Sequence, residues 1–257
     1  MSILFRNIIY GPVLSRRLGV SLGVNLLPLE GKLCSFDCIY CECGWNGDNR
    51  LSKPQFNRRE DVRDALRAKL QEMQSEGTLP NVITFAGNGE PTLHPDFEQI
   101  INDTITLRNE FAPKAKISVL SNSTQLHRAD VCRALALVDN NILKIDSAID
   151  STAKAIDCPY GSYSIERIVE QMGRFKGQMT LQTMFLRGEH NNRHIDNTTV
   201  EEVNAWLALV KRIAPRDVMI YSIDRETPCK ELEKVSKDEL NAIAERVRSL
   251  GFACSVA

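Results

Sequence analysis

The feature that most limits the fold of this chain is a regular alternation between short apolar runs and longer amphipathic stretches. The runs at 81–87, 115–121, 141–149, 178–186 and 216–223 are rich in β-branched and aromatic residues, as buried strands are. A stretch of helical length separates each run from the next. Strands that alternate with helices in this way form a parallel sheet with helices packed on it.

Capping residues indicate the ends of several predicted helices. The first helix is predicted over 58–76, with Asn57 and Glu60 as its N-terminal cap and Gly77 after its last turn. The next helix is predicted to start at Pro95 and to run to about residue 110. Two more helix starts are marked by Thr199 with Glu202 and by Ser236 with Glu239.

The number of these units predicts a barrel-like fold. With a first strand at 18–27, the chain contains about six β/α units. We predict an α/β fold, a partial (β/α)6 TIM-like barrel, that occupies residues 1–257 as a single domain and ends in a helix and a strand at about 236–256. In such barrels the chemistry lies at the C-terminal ends of the strands, so the site is expected in the loops that follow them.

One such loop, predicted at 30–44, contains four of the eight cysteines, namely Cys34, Cys38, Cys41 and Cys43. In a reducing compartment a dense cysteine set is more typical of a metal or redox site than of a disulfide framework. Three thiolates spaced C-x₃-C-x₂-C can each bind one iron of a cubane cluster and leave its fourth iron open. The alternatives are a zinc site with Cys43 as fourth ligand, and a redox pair of Cys38 with Cys41.

Two motifs resemble those of the radical SAM superfamily. They are "CSFDCIYC", with Tyr40 directly before the third cysteine, and "GNGEP" at the end of the next predicted strand. The resemblance implies a 4Fe-4S cluster on Cys34, Cys38 and Cys41, with S-adenosyl-L-methionine (SAM) chelating the fourth iron through its methionyl amine and carboxylate. It also implies reductive cleavage of SAM to a 5′-deoxyadenosyl radical that abstracts hydrogen from a substrate.

The glycine motif is expected to bind the amino group of SAM. Gly87 and Gly89 would let backbone carbonyls approach an ammonium group, and Glu90 would place a negative charge nearby. Asn88 departs from the commoner Gly-Gly-Glu form of the motif. The alternative interpretation is a tight strand-to-helix turn with a capping acid. Tyr40 is expected to stack on the adenine, or to be an ordinary half-buried aromatic.

Polar residues at the ends of later strands complete the expected SAM site. Those predicted to line its nucleoside part are Ser121, Asn122, Asp146 and Ser147. Lys144 is a candidate catalytic residue: it could pair with Asp146, bind a substrate carboxylate or act as an amine nucleophile. Arg225 is a second candidate that could clamp an anionic group, or pair with the neighbouring Asp224 or Glu226.

Within the superfamily, the chain is similar to the wyosine-synthetase-like group of iron-sulfur oxidoreductases. The similarity includes "GPVLSRRLGVSLGVNLLP", "LKIDS", "LQTMFLRG" and "VMIYSIDRETP". Since the best-understood members rebuild a tRNA guanine, the resemblance suggests RNA as a substrate. It also suggests reduced flavodoxin or ferredoxin as the electron donor. Cys43 is interpreted as a small loop hydrophobe rather than part of a second cluster.

Composition bounds the possible partners. The 32 Lys and Arg residues against 33 Asp and Glu give a net charge of −1, so the overall field that attracts nucleic acid is missing, and DNA is not expected. No apolar run reaches membrane-spanning length, and a cytoplasmic protein is expected. Two other functions stay open: a non-catalytic iron-sulfur or zinc module for electron transfer or protein interaction, and a radical SAM activase acting on a polypeptide.

Overall fold

The computed structural model describes residues 3–15, 19–48 and 55–257 and confirms the α/β class. The strands are β1 Ile9–Ser15, β2 Gly19–Val24, β3 Val82–Phe85, β4 Lys116–Ser121, β5 Asn140–Lys144, β6 Thr180–Met184, β7 Leu186–His190, β8 Arg193–Asp196, β9 Asp217–Tyr221, β10 Leu232–Lys234 and β11 Ala253–Val256. The helices are α1 Arg59–Glu76, α2 Phe97–Phe111, α3 Ala129–Leu137, α4 Asp150–Asp157, α5 Ile165–Met172, α6 Val200–Ile213 and α7 Lys237–Ser249.

The main sheet is open and almost entirely parallel. Across the described residues it has eight strands in the order β1-β2-β3-β4-β5-β6-β9-β11, in which β1 runs antiparallel to β2 and the other neighbours run parallel. A helix follows each of β2, β3, β4, β5, β6 and β9, as the predicted six units require. A small antiparallel sheet is formed by β7 and β8, which follow β6, together with β10, which follows β9. The predicted partial barrel is therefore confirmed.

The two faces of the main sheet differ in polarity. One face is mostly apolar in its central strands and contributes to the buried core through Leu22, Ile83, Val119, Leu143, Leu181 and Val218. Strand register places Thr84, Ser118, Lys144 and Gln182 on the opposite face. There Ser118 Oγ accepts a hydrogen bond from Asn140 Nδ2 at 2.8 Å. Because bulky branched residues usually fill the inside of a TIM barrel, this inner face is unusually polar.

Several predicted element boundaries differ from the observed ones, and the largest difference is at the strand predicted over 141–149. The strand predicted over 141–149 ends at Lys144, because the side chains of the following residues bond to backbone groups and turn the chain: Asp146 Oδ1 accepts from Met184 N at 3.0 Å, and Ser147 Oγ accepts from Ile149 N at 2.9 Å. The second helix begins at Phe97 rather than at Pro95.

One predicted helix cap is wrong and two are confirmed. Asn57 does not cap α1: its amide donates instead to the carbonyls of Asn25 and Leu27, both at 2.9 Å, and so ties the helix start to the end of β2. The capping hydroxyls of α6 and α7, from Thr199 and Ser236, are in place. The C-terminal helix and strand are present as α7 and β11.

Four strands were not predicted, namely β1, β7, β8 and β10. The hairpin of β7 and β8 turns at Asn191 and Asn192, which have φ angles of 50° and 58°. Paired Asn residues with positive φ are typical of tight hairpin turns, so this signal was present in the sequence. Leu18, at the start of the first predicted strand, lies outside the described residues. None of the described helices has the length and apolar character needed to cross a membrane.

Candidate active site

Hydrogen bonds to its backbone groups fix the conformation of the loop that carries the cysteines. Asn46 binds it from one side: its Oδ1 accepts from Cys34 N at 3.1 Å and its Nδ2 donates to Phe36 O at 2.9 Å. The C-terminal end of α4 binds it from the other, because Ile39 N donates to Ile156 O at 3.0 Å. Asn46 was not predicted, since nothing in its sequence position indicates this contact. The loop is thus ordered by the protein itself.

The cysteine loop contains a buried lysine, Lys32, near enough to Cys34, Cys38 and Cys41 for all three to act on its charge. Lys32 Nζ donates to Gly44 O at 2.8 Å and to Asp37 Oδ1 at 3.1 Å, and only 2% of the Lys32 side chain is exposed. Burial opposes its positive charge, but the three cysteines and Asp37 together raise the pKa of Lys32 above its ordinary value. Lys32 therefore supplies a fixed positive charge beside the thiols. It is a site residue that the sequence prediction missed.

The environment of each thiol is different. Burial raises the pKa of Cys34 to about 12 and that of Cys38 well above its usual range. A hydrogen bond from the Cys43 thiol, assisted by Lys32, lowers the pKa of Cys41 to about 6. Cys43 is therefore in contact with the predicted ligand set, although the sequence prediction gave it no role.

The donor set suits a multi-iron cluster. Within the described ranges, no three His, Cys, Asp or Glu side chains converge on a single metal ion. A cubane cluster makes a different demand, because each of three irons takes one thiolate. Three cysteines on one ordered loop, with the positive charge of Lys32 beside them, meet that demand for ligands and for charge compensation.

Leu33 joins the glycine turn to the cysteine loop. Leu33 N donates to Asn88 O at 2.8 Å, and Glu90 N donates to Leu33 O at 3.1 Å. Gly89 has a φ of 132°, and a Cβ placed on it would lie 1.8 Å from Leu33 O. At Gly87, with a φ of 96°, a Cβ would lie 2.5 Å from the Phe5 ring. Both glycines are thus required by contacts within the protein, whereas their approach to a ligand ammonium stays a prediction.

The Asn88 side chain holds the N-terminal segment. Its Nδ2 donates to Phe5 O and to Pro28 O, both at 2.8 Å, and its Oδ1 accepts from Phe5 N at 2.9 Å. The residue is completely buried. The departure from Gly-Gly-Glu therefore has a structural use at this position.

Glu90 connects the turn to the loop after β4. Its Oε1 accepts from Thr92 N at 3.0 Å and its Oε2 accepts from Asn122 N at 2.6 Å. The first contact caps the short 3-10 turn Pro91–Leu93, as the alternative interpretation of the motif predicted. Glu90 is only 2% exposed, and this burial raises its pKa. Both oxygens of the Glu90 side chain are thus held by backbone N–H groups, one of them from Asn122, whose side chain lies beside Cys34.

The loop after β4 reaches the cysteine loop through Asn122. Asn122 Nδ2 donates to Ser35 Oγ at 2.9 Å and lies 3.5 Å from Cys34 Sγ. Ser121 Oγ accepts from Ser123 N at 3.1 Å, which closes the turn at the end of the strand. Ser121 and Asn122 therefore lie between the glycine turn and the cysteines.

Lys144 lies at the end of β5 between two carboxylates. Its Nζ donates to Asp146 Oδ2 at 2.9 Å and also to Asp157 Oδ1, so the predicted pair with Asp146 is confirmed and Asp157 is an additional partner. The Tyr40 hydroxyl donates to the same Asp146 Oδ2. Burial opposes the charge of Lys144, but the two carboxylates and Cys38 raise its pKa well above the ordinary value. Burial also disfavours the charged form of Asp157, and it raises the pKa of that carboxyl to about 7.

Asn197 supports this strand end from the small sheet, and it was not predicted. Its Nδ2 donates to the carbonyls of Asp146 and Met184, both at 2.7 Å, and its Oδ1 accepts from Leu186 N at 2.9 Å. Ser147 is turned toward α6, where its Oγ donates to Glu202 Oε2 at 2.6 Å. Asp146 is therefore oriented through both its side chain and its backbone.

Arg225 pairs with the cysteine loop rather than with its neighbours in sequence. Its guanidinium donates to Glu42 Oε2 at 2.7 Å, so the prediction of Asp224 or Glu226 as its partner is corrected. A cleft of about 260 Å³ lies beside this pair, and its lining includes Tyr40, Cys41, Met184 and Tyr221. The cleft thus opens next to two of the predicted cofactor-site residues.

Comparison with known proteins agrees with this geometry. Residues 31–200 match the family model of the Radical SAM superfamily. A UPF0026 protein of Helicobacter pylori (strain ATCC 700392 / 26695) is 33% identical over 240 residues, which cover 91% of this chain and 71% of that protein.

Solved structures share the fold at low sequence identity. Streptococcus suis SuiB bound to S-adenosylmethionine superposes with a TM-score of 0.64 and 13% identity, over 91% of this chain and 50% of SuiB. Archaeal TYW1 gives a TM-score of 0.55 and 14% identity, over 89% of this chain and 71% of that one. The chain belongs to the radical SAM superfamily, whose members use a 4Fe-4S cluster and S-adenosylmethionine, and to the UPF0026 family.

Proposed function

We propose that this protein is an iron-sulfur enzyme of the oxidoreductase type that holds a 4Fe-4S cluster on Cys34, Cys38 and Cys41 and uses SAM to abstract hydrogen from a substrate. When bound, the cluster and SAM supply a 5′-deoxyadenosyl radical by reductive cleavage. The observation that carries the proposal is the attachment of Glu90 to the cysteine loop: its N–H donates to Leu33 O, and its carboxylate accepts from Asn122 N, whose side-chain amide lies 3.5 Å from Cys34 Sγ. An electron carrier or a structural metal module has no need of a carboxylate in that place.

Different residues around this junction would bind different parts of the SAM molecule. Glu90 and the carbonyls of residues 87–89 would receive the methionyl ammonium, since a buried carboxylate favours a cation. Ser121 and Asn122, which adjoin Cys34, would bind the ribose or the methionyl carboxylate. Tyr40 would contact the adenine. Ser147 would help to order the end of β5, because its hydroxyl is engaged by Glu202.

The substrate would enter from the polar inner face of the barrel. That face offers hydrogen-bonding groups, and the cleft beside Arg225 combines charged and hydroxyl groups with apolar side chains, which favours a substrate with polar groups. RNA is the first substrate class to test. Because the net charge is −1, an RNA would have to be bound by local contacts such as Arg225. Reduced flavodoxin or ferredoxin is proposed as the electron donor, in a cytoplasmic setting.

The test is the EPR spectrum of the reconstituted, anaerobically reduced protein with and without SAM. We expect SAM to change the spectrum of the wild type, because it would bind the open iron. In E90Q the SAM concentration needed for this change should rise about 10- to 100-fold, the value of one hydrogen bond to a charged group. E98Q is the matched control, since Glu98 is a surface partner of Arg133. A cluster whose spectrum SAM leaves unchanged would contradict the proposal.

A further inference from the structure

The ammonium group of Lys144 has a third contact besides its two carboxylates. Lys144 Nζ lies 3.6 Å from Cys38 Sγ, within hydrogen-bonding distance for sulfur. A lysine ammonium has three N–H donors, and the three acceptors here are Asp146, Asp157 and Cys38. Each donor therefore has a defined partner, and one of the three partners is a proposed iron ligand.

The surroundings of Lys144 keep this charge in place. Only 12% of its side chain is exposed, and Nζ lies 5.1 Å from the centre of the Phe36 ring and 5.2 Å from that of Tyr40. Both rings belong to the cysteine loop, and their faces attract a cation. Lys144 is therefore part of the wall around Cys38 and is poorly placed to serve as a mobile nucleophile.

We propose that Lys144 sets the reduction potential of the cluster by giving a hydrogen bond and a positive charge to the Cys38 thiolate. The inference rests on the proposed function, because it takes Cys38 to be an iron ligand. Reduction adds one electron to the cluster from a reduced flavodoxin or ferredoxin, which is oxidised in turn. Since hydrogen bonds to sulfur and nearby positive charge stabilise the reduced form, Lys144 raises the potential.

Asp157 lies near the same sulfur and would shift the reduction potential of the cluster in the opposite direction. Its Oδ1 lies 3.5 Å from Cys38 Sγ, and its buried Oδ2 has no hydrogen-bond partner among the described residues. In its ionised form, the Asp157 carboxylate opposes the addition of an electron to the cluster. Lys144 and Asp157 thus form a pair whose removal should shift the potential in opposite directions, whereas damage to the loop would not produce opposite shifts.

The experiment is a potentiometric titration of the reconstituted cluster, followed by EPR and performed without SAM. In K144M the equilibrium should shift at least tenfold toward the oxidised form, which is a potential lower by about 59 mV for a one-electron couple. D157N should shift it the other way. K154M is the control, because Lys154 is exposed on α4 and pairs with Asp150 at 3.7 Å; its potential should equal that of the wild type.

The outcomes separate this inference from the proposed function. If the wild type forms no cluster, the proposed function fails first. If the wild type and K144M both hold a full cluster with the same potential, the role of Lys144 is overturned. If K144M takes up no iron, the K144R variant, which keeps the positive charge, is measured instead. A K144R cluster with a potential near that of the wild type shows that the charge is needed at Cys38. The absence of a cluster in K144R overturns the inference.

Discussion

The carbonyl oxygen of Leu33 lies 1.8 Å from the point that a Cβ on Gly89 would occupy. The G89A substitution therefore forces the cysteine loop away from the glycine turn, and the φ of 132° adds backbone strain of about 1–3 kcal/mol. We expect G89A to lower the free energy of unfolding by more than about 3 kcal/mol, since clash and strain add. Urea unfolding of the apoprotein measures this.

Gly77 provides the matched control for this substitution. It ends α1 with a φ of 69°, and a Cβ on it would meet nothing within 4 Å. G77A should therefore cost only about 1 kcal/mol, from the left-handed backbone alone. Equal losses in G89A and G77A would show that the contact with Leu33 has no energetic weight.

The side chain of Asn88 should stabilise the N-terminal segment. N88G keeps the positive φ that the turn requires but removes three hydrogen bonds to Phe5 and Pro28, so we expect a loss of about 2–3 kcal/mol. Hydrogen exchange of residues 3–8 should become faster than that of α1 in the same protein. Unchanged exchange in this segment would mean that Asn88 does not hold it.

Asn197 should support the site from outside it. N197A removes one acceptor and two donors from buried backbone groups of Asp146, Met184 and Leu186, and we expect a loss of about 3 kcal/mol. Because Asp146 would lose its fixed position, Tyr40 should become more mobile, which fluorescence or NMR of that tyrosine would detect. N192A, at the exposed turn of the neighbouring hairpin, should leave the Tyr40 signal as in the wild type.

The stability of α7 should depend on pH through Glu239. Hydrogen bonds from Arg187 and from Ser236 lower the pKa of Glu239 to about 2, below its ordinary value near 4.5. A lowered pKa means that the contribution of Glu239 is complete above pH 4.5 and is lost as the pH falls toward 2. The difference in Tm between wild type and E239Q should therefore shrink over this range. A difference that stays constant would contradict the assignment.

The fold could be predicted from the sequence because buried strands and helix starts require recognisable patterns of apolar and capping residues. Apolar runs such as 115–121 mark strands whose one face enters the core, and Thr199 and Ser236 mark helix starts through local hydrogen bonds. The prediction of a single strand over 141–149 was wrong, because Asp146 and Ser147 turn the chain through contacts with β6 and with the next residues.

The site could be predicted only where its residues form a local motif. The cysteines form one short motif, and the glycine turn with Glu90 forms a second one about 45 residues later. Asp157 and Asn197 gain their roles from contacts between distant segments, such as the bond from Lys144 on β5 to Asp157 at the end of α4. Lys32 lies within the cysteine loop, but its bond to Gly44 O depends on how that loop folds back on itself. Single-sequence patterns do not record such pairings, so these residues were missed.

The most direct test of the central claim is the formation of 5′-deoxyadenosine by the reconstituted protein, reduced and supplied with SAM in the absence of oxygen. We expect the wild type and the C132A/C254A variant to produce 5′-deoxyadenosine, whereas C34A/C38A/C41A should produce none. The C132A/C254A variant removes cysteines from outside the loop and controls for the change in chemistry. A protein with a full 4Fe-4S cluster that binds no SAM and forms no 5′-deoxyadenosine would contradict the proposed function.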